Sequence, residues 1–194
     1  MKKALSGAWL IVLLAGLSTP TNAGIIVGTH ELLPNTPAQQ IEIFVTGGDA
    51  VDGINFNIQI EDGTGATPSP PFTRLDILTG TIFDGKNSGS WDNNVLPQIA
   101  WDWTETSPGQ TVLADGLLGT LTVDTTGYDT GSWALRMSDT LNGPTDFAGL
   151  AADITDGRIT ITDVPEPSTM ALCLALCGSS LLLHSRGRRG RSAK

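Results

Sequence analysis

Between residues 24 and 163 the side chains able to do chemistry are one histidine, a scatter of carboxylates and a few tryptophans. His30 stands beside Glu31, and both cysteines, Cys173 and Cys177, lie in a C-terminal apolar run. A Ser-His-Asp site would have to recruit His30, yet no Gly-x-Ser-x-Gly elbow occurs in the chain. His30 therefore reads as a surface or strand-edge residue, and a secreted hydrolase is the weakest functional reading. Two paired carboxylates could in principle cleave glycosides. With nineteen Asp and Glu in this segment, however, some pair is bound to be close, so the pattern carries no information. The chain is not expected to be an enzyme.

Two groups invite a ligand. Asp146, Asp153 and Asp156 fall in one loop region and offer the hard oxygen atoms that Ca²⁺ requires, although their spacing matches no EF-hand. The alternatives there are a calcium site and a solvated acidic face, and Ca²⁺ is the one cofactor candidate. Trp91, and the pair Trp101 and Trp103 in "QIAWDWTE", could stack on sugar rings. Trp101 and Trp103 share one strand face, opposite Ala100 and Asp102. If Ala100 points inward the indoles form an exposed platform, and if it points outward they are core.

Strands must position these residues. In "GINFNIQIE", Ile54, Phe56, Ile58 and Ile60 alternate with Asn55, Asn57, Gln59 and Glu61, the mark of a half-buried antiparallel strand. "QQIEIFVT" repeats the pattern, and "LLGTLTVDT" places Leu117, Gly119, Leu121 and Val123 on one side. "GSWALRMS" and "GRITIT" continue it, with shorter strands expected over 25–27, 74–78, 81–83 and 98–104. Glycine steps at 47–48, 63, 85, 116 and 157 punctuate these runs. Residues 138–157 form a longer excursion, with a short helical turn expected near 147–152. Eight or nine short strands and no helix-period segment predict a single antiparallel β-sandwich over residues 24–163. Its nineteen acids face only Arg74, Lys86, Arg136 and Arg158, a balance that repels phosphates and excludes nucleic-acid binding.

"QQIEIFVTGGDAVDGINFNIQIEDG" and "GLLGTLTVDTTGYDTGSWALRM" resemble the cohesin-like branch of carbohydrate-binding sandwich folds. The likeness rests on Val51-Asp52-Gly53-Ile54-Asn55-Phe56 and on the apolar spacing of the later strand. It implies a jelly-roll body of eight or nine strands that is a binding or structural module. Cohesins bind dockerin modules, but no dockerin-contact residue can be mapped onto this sequence. A polysaccharide or a protein is therefore the expected class of ligand.

The two ends read as addresses. Lys2 and Lys3, the apolar stretch 8–17, Pro20 and a small residue at Ala23 make a signal peptide over 1–23. Residues 169–183 are uncharged and cover about 22 Å as a helix, short of a bilayer core but able to span with thinning. Arg186, Arg188, Arg189 and Arg191 then hold the tail (186–194) on the cytoplasmic side. Val164-Pro165-Glu166-Pro167-Ser168, an apolar helix over 169–185 and the basic end together resemble the PEP-CTERM sorting signal (164–194). That resemblance implies an exosortase-type processing enzyme as partner. It also implies an inner-membrane-anchored precursor, followed by release to, or display on, the cell surface. The two prolines keep the motif extended, the form a processing enzyme can grip. Cys173 and Cys177 stand four apart on one helix face, open to lipidation or a metal, or simply small apolar residues of the helix.

Overall fold

A computed structural model describes residues 22–162. The signal segment up to residue 21, the motif Val164–Ser168, the apolar stretch and the basic tail lie outside the described residues. Among those described there is no helix, and so none long and apolar enough to cross a membrane. The strands are β1 (Gly24–Ile26), β2 (Thr29–Leu32), β3 (Gln39–Thr46), β4 (Ala50–Val51) and β5 (Gly53–Ile60). Then come β6 (Phe72–Asp76), β7 (Asn94–Val95), β8 (Ile99–Glu105), β9 (Val112–Leu113) and β10 (Gly116–Val123). The series ends with β11 (Gly131–Arg136), β12 (Asp146–Phe147), β13 (Leu150–Ala151), β14 (Asp153–Thr155) and β15 (Gly157–Ile161).

They form an all-β sandwich. One sheet has the order β14-β1-β3-β10-β6, and the larger runs β13-β12-β5-β11-β15-β2, with β8 along the other side of β5 and β7 outside it. Ile41, Ile43 and Val45 of β3 face Ile54, Phe56, Ile58 and Ile60 of β5 across one buried cluster. A Cβ added to Gly119 would lie 3.0 Å from the Phe56 ring, so β10 and the Phe56 side chain are in direct contact across the layers.

Four expectations are corrected. First, the sandwich is not purely antiparallel: β1 runs parallel to β14 and β2 parallel to β15. The two chain segments pass together from one sheet to the other, bending side by side at Gly28 and Gly157. A side chain at Gly157 would overlap the Gly28 carbonyl, which also accepts the Arg158 N–H at 2.9 Å. Secondly, residues 81–83 are a turn, because the Thr81 hydroxyl donates to the Ile77 carbonyl at 2.8 Å and holds the backbone locally. Phe83 still reaches the core. Thirdly, a bulge between Leu117 and Gly119 shifts the phase of β10, so Leu118 rather than Leu117 is fully buried. Fourthly, residues 147–152 form a hairpin instead of a helical turn. Its two connecting residues, Ala148 and Gly149, both have positive φ (49° and 90°), the sense that suits tightly twisted strands.

Candidate functional site

Strand β8 alternates cleanly. Ala100, Asp102 and Thr104 are buried on its inner side, and Trp101 and Trp103 face out, with Trp103 37% exposed. Trp91, 57% exposed, lies on Trp103 with ring centroids 5.4 Å apart and planes inclined by 22°. Trp101 is tied down, its indole N–H donating to Asp92 at 3.1 Å. Trp133, by contrast, is core, edge-on to Tyr128 and donating to the Pro68 carbonyl at 2.9 Å.

A buried carboxylate holds the outer indole in place. Asp102 is 1% exposed and has no cation partner among the described residues. Instead the Ser90 hydroxyl stands 2.7 Å from both of its oxygens, and the Asn93 amide (3.1 Å) and the Trp103 N–H (2.8 Å) donate to it. Asn93 also donates to the Leu75 carbonyl of β6 at 3.1 Å, tying the loop across the sandwich edge. With the Trp91 N–H bonded to the Trp103 carbonyl at 3.1 Å, the indole pair is set before any ligand arrives. Such satisfied burial is what makes an unpaired charge tolerable.

Beside Trp103 a groove of about 380 Å³ runs over β5. Trp103 and Glu105 form one wall, Asp146 and the Ala148–Gly149 turn the other, and Asn55 the floor. Register explains the assembly: Asn55 pairs with Trp103 on one side and with Asp146 on the other. Gly53 allows the close approach, since a Cβ there would stand 2.6 Å from the Thr104 carbonyl oxygen of β8. The polar face of β5 is mostly covered, contrary to the reading of Asn57 and Gln59 as solvent-facing. Thr145 accepts the Asn57 N–H (2.9 Å) and donates to its carbonyl (2.7 Å), while Gln59 accepts the Leu141 N–H at 2.8 Å. Only Asn55 stays open. Asn55, Glu105 and the hairpin turn were not singled out from sequence; alternation alone could have nominated Asn55.

The three aspartates proposed for calcium are not brought together as a metal cluster, and among the described residues no such group exists. Asp156 accepts the Met137 and Ser138 N–H groups (2.8 and 3.0 Å) and the Ser138 hydroxyl, bracing the β11 end. Asp146 accepts the Gly149 N–H at 2.8 Å, closing the hairpin turn, and is 3.5 Å from the Asn55 amide. His30 lies on β2, its Nε2 2.7 Å from the Val27 carbonyl oxygen. On the opposite sheet Arg74 and Asp76 make the one ion pair among the described residues, at 2.9 Å. Partial burial opposes ionisation of Asp76, but the Thr79 and Leu78 N–H groups, the Thr79 hydroxyl and Arg74 outweigh it and hold the carboxyl below its usual range.

Neither a protein-family model nor a curated protein matches the chain. Solved structures do. A type I cohesin in complex with dockerin from Clostridium thermocellum aligns at TM-score 0.56 and 15% identity, over 73% of this chain and 100% of that one. A type III cohesin module of the ScaE cell-surface anchoring scaffoldin of Ruminococcus flavefaciens aligns at 0.52 and 17%, over 84% and 100%. A cohesin from Clostridium acetobutylicum aligns at 0.50 and 22%, over 73% and 91%. The sandwich has the cohesin fold.

Proposed function

We propose that the chain is an exported, non-catalytic binding protein of the cell surface or extracellular matrix. It presents the Trp103 groove to a ligand outside the cell. The observation that carries the binding role is the preset indole pair beside a groove that sets Asn55, Glu105 and Asp146 around the exposed Trp103 ring and that, among the described residues, has neither imidazole nor thiol in its walls. The fold supports it, since a cohesin of the same fold is seen holding a dockerin. For the ends, the signal peptide directs export. The Pro165-Glu166-Pro167 motif with its apolar and basic continuation serves as a PEP-CTERM signal for an exosortase-type enzyme.

Two measurements test the halves separately. Intact mass of protein recovered from outside the native cells is expected to lack residues 1–23 and the segment after the Pro-Glu-Pro step. Recovery of the full-length tail there contradicts processing. Protein added back to cells stripped of it is expected to rebind their surface material, and Trp103→Ala to rebind poorly; equal rebinding removes the groove from the account.

A further inference from the structure

We infer that the groove takes a neutral polysaccharide segment, its pyranose ring laid against the Trp103 indole. This rests on the binding role above and narrows it to a ligand class. An indole offers a flat apolar face that the C–H side of a sugar ring can cover, while the ring hydroxyls project sideways to polar groups. The groove supplies those groups. Among the described residues the Trp103 indole N–H and the Glu105 carboxylate have no hydrogen-bond partner, and the Asn55 amide reaches only Asp146 at 3.5 Å. Beside the groove, the indole N–H of Trp91, stacked on Trp103, is unpartnered as well. Hydroxyls, donors and acceptors at once, satisfy this mixture of N–H donors and carboxylate acceptors.

Charge narrows the class further. Glu105 and Asp146 face each other across the groove, and among the described residues no lysine or arginine lines it. An acidic glycan would be repelled. A protein partner fits less well, because the centre of a protein interface is depleted of charge and spread over about 800 Å² a side. Here a carboxylate stands on each wall of a narrow groove, Glu105 on one and Asp146 on the other. Its volume of about 380 Å³ is at the small end of ligand sites. The Asp102 tether removes the cost of ordering Trp91 on binding.

The test is affinity electrophoresis of the purified full chain through gels carrying neutral glucan, xylan, mannan or galactan, and through polygalacturonate as the acidic arm. At least one neutral gel is expected to retard the protein, and polygalacturonate is not. Trp103→Ala is expected to weaken retardation roughly tenfold or more, the loss of one aromatic anchor. The exposed Trp91→Ala variant is a second probe that leaves the core intact. Phe44→Ala, on the opposite sheet, is expected to bind as wild type. No retardation in any neutral gel, retardation unaffected by either tryptophan change, or preference for polygalacturonate overturns the inference. If neutral gels fail while Trp103→Ala still abolishes rebinding to stripped cells, the ligand class is wrong and the binding face stands.

Discussion

The two outer faces of the sandwich are made from strands of the same design and end up quite different. On the smaller sheet, β3 alternates and its outward residues Gln40, Glu42, Phe44 and Thr46 are all exposed, Phe44 to 44%. On the larger sheet, β5 alternates just as regularly, but the chain from Thr140 to Thr145 crosses over it and buries Asn57 and Gln59. What remains uncovered is one end, where Asn55 meets the tryptophans. Period two decides which residues face away from the core; whether they meet water depends on what the next connection does. The cover also creates the site, because the same excursion returns as the β12–β13 hairpin and supplies the groove's far wall.

The largest effect is expected from removing the cover. Thr145→Val leaves the buried Asn57 N–H and carbonyl unpaired and is expected to cost roughly 3 kcal/mol in urea unfolding. It should also speed exchange of the Asn57 amide. Thr46→Val on the open face is expected to stay within about 0.5 kcal/mol of wild type. Equal costs would mean the two faces do not differ as described.

Next in size is the tether. Ser90→Ala deprives Asp102 of its hydroxyl partner and is expected to cost about 1–2 kcal/mol. The diagnostic readout is near-UV circular dichroism, where the coupled signal of the stacked Trp91 and Trp103 should weaken. An unchanged spectrum with lowered stability would show that Asp102 supports the fold without positioning the indoles.

The smallest effect belongs to the open face. The Asp76 carboxyl is depressed in the folded state, so its contribution is complete above the ordinary carboxylate value of about 4 and is lost as pH falls through the lower folded one. Asp76→Asn is therefore expected to destabilise at neutral pH and to converge with wild type in acid. A constant difference between the two across pH 2–6 would contradict that assignment.

How much of this was legible in the sequence follows from the same physics. β3, β5, β8, β11 and β15 could be read because each turns an apolar face of period two to the core, and Trp133 and Met137 fell inward as their spacing required. The orientation of Trp101 and Trp103 hung on Ala100, and only its burial decides it. The β10 bulge and the Ala148–Gly149 turn escaped because neither Leu118 nor an Ala-Gly step carries a local signature of a phase shift or of positive φ. Asp102 escaped for a different reason. A charged residue is expected outside, and its donors, the Ser90 hydroxyl, the Asp92 N–H, the Asn93 amide and the Trp103 N–H, come from residues 90–93 and from its own strand, a grouping that exists only after folding.

The claim that the larger sheet carries the binding face is tested most directly by the indole N–H resonances of the full chain as a neutral hexasaccharide is added. The signals of Trp91 and Trp103 are expected to shift together and saturate. Those of Trp101 and Trp133, already donating to Asp92 and to the Pro68 carbonyl, are expected to stay in place. Saturating shifts centred on Phe44 of the smaller sheet, with Trp91 and Trp103 unmoved, would contradict it.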